Sequence, residues 1–130
     1  MAVWGCGAME RLWFGLGAAL ALLAVISGAF GAHALEDRLA SDDLDLWQTA
    51  ARYHMYHALA LLAVASAAER WGGNLTAAAG WLFLAGVVLF SGSLYLLSLT
   101  GARVLGAVTP FGGLCFILGW AALLAQAFKA

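Results

Sequence analysis

Four apolar runs, joined by links too short to fold on their own, constrain this chain more than any other feature. They lie near residues 12–34, 49–68, 76–98 and 104–127, and none has an acidic residue in its interior. Each approaches the roughly 20 residues that a helix needs to cross a hydrocarbon layer about 30 Å thick. Helices satisfy every backbone N–H and C=O within the segment, as lipid requires. Composition agrees: 65% of the 130 residues are hydrophobic and 10% charged, against about 25% charged in a typical soluble domain. The expected fold is all-α, an integral membrane protein built as an up-down-up-down four-helix transmembrane bundle. It occupies residues 10–130. Residues 1–9 read as an N-terminal extension, because "MERLWF" offers a second possible start at Met9.

The links refine this picture. "LEDRLASDDLDLWQT" (35–49) holds five acids and one arginine, with Leu35, Leu39, Leu44 and Leu46 at roughly helical spacing. It reads as a short amphipathic segment lying at the interface between helices one and two. "ERWGGN" and "TGAR" are tight glycine turns, so the helices they join are antiparallel neighbours. Arg11, the apolar run after it and "AHA" at 32–34 imitate a cleavable signal, but the run is longer than a usual 7–15-residue signal core. The run is expected to stay.

Charge excludes some functions. A net charge of −1 without any basic run gives no footing for nucleic acid. Cys6 and Cys115 fall at different expected depths, and no zinc-type cysteine spacing occurs. For orientation, Arg11, Arg70 and Lys129 share a side with the termini, against Arg38, Arg52 and Arg103 opposite. Arg38 sits among acids, which tips the positive-inside reading toward cytoplasmic termini.

Sorting polar residues by depth is more informative. His33 ends the first run, His54 and His57 open the second, Ser91, Ser93 and Tyr95 close the third, and Thr109-Pro110 lie early in the fourth. With Tyr53 and Tyr56, all of these fall toward the side that carries the first link. The opposite half reads as nearly pure Leu, Ala, Val, Phe and Trp. Polar groups at membrane depth face the bundle interior or a wet cavity, because lipid cannot hydrogen-bond them. Pro110 leaves the Gly106 carbonyl without its helical donor, and Ser91, Ser93, Tyr95 or a water is the expected replacement. Gly28 and Gly31 of "GAFGAH", with Gly112 and Gly113 of "TPFGG", suggest close approach of helices one and four. Gly15, Gly17, Gly80 and Gly86 are further packing candidates.

Four strings in order, "GAFGAHAL" (28–35), "YHMYHALALL" (53–62), "LFSGSLYLL" (89–97) and "TPFGGLCFILGW" (109–120), closely resemble the YgdD-like family of small bacterial inner-membrane proteins. That family is catalogued as a domain of unknown function and has mitochondrial relatives. The resemblance runs from residue 10 to 128 and implies a fold, a location and a motif set, but no activity. His33, His57, Ser91, Ser93, Tyr95 and Pro110 fall on its motif positions, whereas His54 departs from the pattern.

The candidate polar cluster is therefore His33, His54, His57, Tyr53, Ser91, Ser93, Tyr95 and Thr109. His54 and His57 stand about 60° apart around a helix and could reach one ligand. With His33 they are weak candidates for a metal site, since imidazole suits zinc, copper or iron. The simpler reading makes each histidine an anchor for a helix end. Haem between His33 and His57 would need more room than glycine-mediated packing leaves. The tyrosines would suit a quinone, but an interfacial aromatic belt explains them and Trp13, Trp47, Trp71 and Trp81 as well. No cofactor is firmly implied, and no carboxylate pair, phosphate loop or paired nucleophile is recognisable. The chain is read as a non-catalytic accessory or assembly subunit of a larger membrane complex or homo-oligomer, surrounded by membrane lipids. The alternatives are a bundle binding a metal, quinone or lipid at the His/Tyr cluster, and a small transporter. The last is disfavoured because no charged residue lies near mid-membrane.

Overall fold

The computed structural model describes residues 2–130, with side chains from Gly7 onward. Most of the expected 1–9 extension, including the Cys6 side chain, lies outside the residues described to side-chain level. Among the described residues all regular structure is helical: α1 (Ala2–His33), α2 (Ser41–Arg70), α3 (Asn74–Thr100) and α4 (Leu105–Lys129). Three stretches, Gly7–His33 of α1, all of α3 and all of α4, are long and apolar enough to cross a membrane. Helix α2 is as long, but arginine, two histidines and two tyrosines in its middle turns lower its hydropathy.

The first link differs from the sequence reading. Only residues 34–40 are turn, and α2 begins at Ser41. The acidic, leucine-spaced segment is thus split: its second half forms the opening turns of α2 and runs unbroken into the apolar part. Asp42 and Asp43 lie in the first turn, where negative charge favours the positive end of the helix dipole. At the other end of α2, Gly72 (φ 63°) and Gly73 (φ 91°) take left-handed backbone angles before α3 starts. Side chains with a Cβ rarely adopt these angles.

Helix α2 is central. It packs against α1 on one side and α3 on the other, while α4 packs mainly against α3. Among the described residues α1 and α4 share no substantial interface, so the expected glycine-mediated approach of helices one and four is not what the chain does. The glycines pack within neighbouring pairs instead. A Cβ at Gly17 would fall 2.8 Å from the Ala58 carbonyl oxygen, and one at Gly31 would strike the Trp47 ring, which fixes α1 on α2. Gly86 receives Phe116, Gly119 receives Phe83, and Gly112 lies against the Phe90 backbone, which fixes α4 on α3. Gly15 and Gly28 have nothing within 4 Å of an added Cβ, and Gly113 only just touches Phe90.

The core runs through Trp13, Leu61, Val64, Ala79, Phe83 and Phe116. Trp13 is fully enclosed, reaching from α1 to Gly80 and Trp81 of α3. It and buried Trp47 are core residues, whereas Trp71 and Trp81 remain exposed as belt residues would be.

Helix α3 carries one feature that the sequence did not announce, a π-helical turn at Val87–Ser91. The widened turn closes with the Gly92 N–H donating to the Val87 carbonyl. Such bulges insert a residue into an α-helix and shift the phase of the turns beyond it. Here the bulge abuts Gly112, whose missing side chain makes room for the Phe90 backbone.

Candidate functional site

The polar residues gather around the contact of α2 with α3 and α4, next to the π turn. His57 is buried, with 5% of its surface exposed. Its Nδ1 lies 2.8 Å from the Tyr53 carbonyl oxygen, and Trp120 Nε1–H donates to its Nε2 at 3.1 Å. Indole N–H is a donor only and a carbonyl an acceptor only. These partners fix the tautomer: His57 is neutral, carries its proton on Nδ1 and donates it to Tyr53. Its ring stacks on Phe116 at 3.5 Å between centroids and 6° between planes. Both nitrogens and one face are thereby used inside the protein.

His54, one helical turn away and also buried, sits between Tyr95 of α3 and the Leu20 backbone of α1. Its Nδ1 is 3.0 Å from the Tyr95 hydroxyl, while Nε2 is buried without a partner in the protein. Tyr95 in turn packs on Trp47 with centroids 4.6 Å apart. Trp47 Nε1–H donates to the Ser27 carbonyl at 2.7 Å, so this chain of contacts ties α3 through α2 to α1.

The serines brace the π turn. Ser91 Oγ donates to the Ala50 carbonyl of α2 at 2.8 Å. Ser93 Oγ donates to the Phe90 carbonyl at 2.9 Å and also lies 2.6 Å from Thr109 Oγ1 on α4. With the Ser93 proton directed to Phe90, Thr109 donates to Ser93 rather than to the more distant Leu105 carbonyl at 3.3 Å. Ser91, Ser93 and Tyr95 are therefore committed elsewhere, and none donates to the Gly106 carbonyl that Pro110 leaves free.

Not every candidate joins this arrangement. His33 is exposed at the end of α1, away from the other two imidazoles. Tyr53 is partly exposed, lying over Phe90 and Phe116, and Tyr56 points outward. Among the described residues no group of three His, Cys, Asp or Glu side chains could hold a metal ion. Cys115 carries a free thiol. Trp120, which decides the state of His57, was missed; an aromatic in an apolar run gives no sign of the polar atom it will meet. The opposite half is also less uniform than its composition suggests. Thr76 and Gln126 are buried there, Gln126 against Gly73 in the α2–α3 turn.

A family model described as "Protein of unknown function (DUF423)" matches residues 27–113, from the end of α1 to Gly113 of α4. The chain belongs to this family. Its relatives include the UPF0382 membrane protein YwdK of Bacillus subtilis (strain 168), 52% identical over 115 residues, covering 88% of this chain and 94% of the relative. A UPF0382 membrane protein of Staphylococcus epidermidis (strain ATCC 12228 / FDA PCI 1200) is 48% identical over 114 residues, covering 88% and 93%. Another, SAB0533 of Staphylococcus aureus (strain bovine RF122 / ET3-1), is 46% identical over 119 residues, covering 92% and 97%. No solved structure matches. The family resemblance of the four motif strings therefore holds, and with it the assignment as a membrane protein of unknown function. The family match takes in His33, His54, His57, the π turn and Thr109-Pro110, and it stops short of Trp120.

Proposed function

We propose that the chain is a non-catalytic accessory or assembly subunit that crosses a bacterial cell membrane four times and docks against a larger membrane complex. The observation that carries this reading is the internal saturation of the polar cluster. His57 uses both ring nitrogens within the chain, Ser91 and Ser93 brace backbone carbonyls, and Thr109 bonds Ser93. Groups consumed in this way hold helices together and leave little to react with. A second feature points outward. Gly28 and Gly92 have nothing within 4 Å of an added Cβ. Helical glycine without an internal steric reason suits a neighbour outside the chain, as small residues do at membrane helix interfaces.

The fourth span in this reading is α2. Its outward stripe begins at Arg52 and ends at Arg70, both exposed. Eighteen residues separate them, about 27 Å at the helical rise, close to the hydrocarbon thickness. Long basic side chains at such positions extend to the two interfaces. The low hydropathy of α2 is compatible with spanning because its buried stripe, which includes His54 and His57, lies against α1 and α3 and not against lipid. The termini are assigned to the cytoplasm on the basic residues Arg11, Arg70 and Lys129, with Arg38 offset by its acidic neighbours.

Purification of the full chain from native membranes in a mild detergent tests the reading. A defined set of larger membrane proteins is expected to co-purify and to be lost in Gly28→Leu and Gly92→Leu while the variants stay folded. Recovery of the chain alone, by crosslinking as well as by purification, would count against it. Labelling of single cysteines introduced at positions 38 and 72 from each side of the membrane tests orientation and the fourth span together. A second reading, binding of a quinone or metal at the His/Tyr cluster, draws on His54 Nε2, which is buried and unpartnered. A coloured or metal-loaded preparation that loses its signal in His54→Phe would favour it.

A further inference from the structure

The α1–α2 seam opens into a groove of about 430 Å³ near the chain termini. Its walls come from two consecutive turns of each helix. The deeper turn is apolar, with Phe14, Gly15 and Leu62; the turn above it, toward the end of the membrane span, carries Glu10, Arg11 and Glu69. The layering comes from sequence spacing: Glu10 lies four residues before Phe14, and Arg11 four before Gly15, so each polar group sits directly above an apolar one. Gly15 leaves the floor clear, since an added Cβ would meet nothing within 4 Å.

This arrangement is selective in charge. Two carboxylates and one guanidinium stand at the mouth of an apolar slot whose helix α1 is itself long and apolar enough to cross a membrane. An anionic headgroup would face two like charges and one opposite charge. A zwitterion with a phosphate and a primary ammonium group matches all three. Guanidinium recognises phosphate through paired N–H donors, and carboxylates accept the N–H bonds of an ammonium. A quaternary ammonium has the charge but no N–H to donate.

We propose that this groove binds an aminophospholipid of the phosphatidylethanolamine class, with its phosphate on Arg11, its ammonium shared between Glu10 and Glu69, and an acyl chain over Gly15 between Phe14 and Leu62. The site is separate from the His/Tyr cluster and does not depend on the accessory-subunit reading. Ser66 completes the rim as a neutral hydroxyl.

Native mass spectrometry of the full chain, with dioleoyl phosphatidylethanolamine, phosphatidylcholine and phosphatidylglycerol in equimolar competition, tests it. Phosphatidylethanolamine is expected to be retained about tenfold more than either competitor, the equivalent of about 1.4 kcal/mol. In Glu10→Gln/Glu69→Gln its advantage over phosphatidylcholine disappears. Gly15→Leu, whose added Cβ meets nothing in the chain, fills the slot and lowers retention of all three lipids together. Equal or greater retention of phosphatidylglycerol by the wild-type chain would overturn the proposal. So would an ethanolamine preference that survives the double glutamine variant, or retention unchanged in Gly15→Leu.

Discussion

The two outer helices are fastened by similar residues with different results. On the α3–α4 seam three glycines each face a phenylalanine: Gly86 with Phe116, Gly112 with the Phe90 backbone, Gly119 with Phe83. The seam is filled at these three points. On the α1–α2 seam, Gly17 and Gly31 pack equally closely, but Gly15 and Gly28 face open space, and a groove opens beside each of them. A membrane helix pair gains nothing from apolar burial as such, because lipid tails are as apolar as leucine; close packing and hydrogen bonds hold it. A filled seam is then a structural element. A seam that is tight at two points and open at two others holds the fold and also leaves space for a molecule from outside.

The largest expected effect breaks the filled seam. Gly112→Ala would place a methyl group against the Phe90 main chain at the π turn, where no side-chain rotation can relieve the clash. Overpacking against backbone costs about 3 kcal/mol. Denaturant titration in detergent should show that loss, and an unchanged midpoint would mean that α3 and α4 separate more easily than their geometry indicates.

The next effect addresses the hydrogen bonds across α2. His57→Phe keeps the stack on Phe116 but removes the acceptor of Trp120 Nε1–H. A cost of about 1–2 kcal/mol is expected for the stranded donor. Adding Trp120→Phe should recover much of it, since removing both partners leaves nothing unsatisfied. Additive losses in the double variant would show that His57 serves packing alone. Ser91→Ala, which takes one donor from a carbonyl already bonded within α2, should cost less, about 0.6 kcal/mol.

How much of this was legible in the sequence depends on what lipid does to pattern. Helix number and order could be read because apolar runs and glycine turns are one-dimensional signals; the length of α2 could not, because its first turns are acidic and lie outside the apolar run. The facing of each helix could not. In water a buried stripe differs from its polar back, but a helix in lipid is apolar all round and its periodicity says little about which side is core. Trp13 and Trp47 therefore read like Trp71 and Trp81, although the first two are enclosed and the others exposed. Gly112 and Gly113 are adjacent and chemically identical, yet only Gly112 receives the Phe90 main chain. The exception is α2, where polar residues restore a pattern: buried His54 and His57 alternate with exposed Arg52 and Tyr56. The π turn escaped because it is an added residue in the register, which composition cannot encode. Pro110 drew attention to the Gly106 carbonyl, but the donors nearby had closer partners on their own helix or on α2 and α4.

The smallest effect is the sharpest test of the open seam, and it compares two glycines three residues apart on α1. Gly31→Leu would drive its side chain into the Trp47 ring and strain the bond from Trp47 to the Ser27 carbonyl. Gly28→Leu points away from both into unfilled space beside Ala24, Met55 and Tyr56. The first should destabilise the detergent-solubilised chain by about 2 kcal/mol, the second by no more than about 0.5 kcal/mol, as for a surface change without a special role. A Gly28→Leu loss as large as that of Gly31→Leu would mean that the seam is closed on this side, and Gly28 would become an ordinary packing residue. If the variant instead keeps its stability while native membranes select against it, the constraint on Gly28 lies outside the chain. Stability in isolation and fitness in the membrane would then separate at one residue, which a purely internal role for the glycine does not permit.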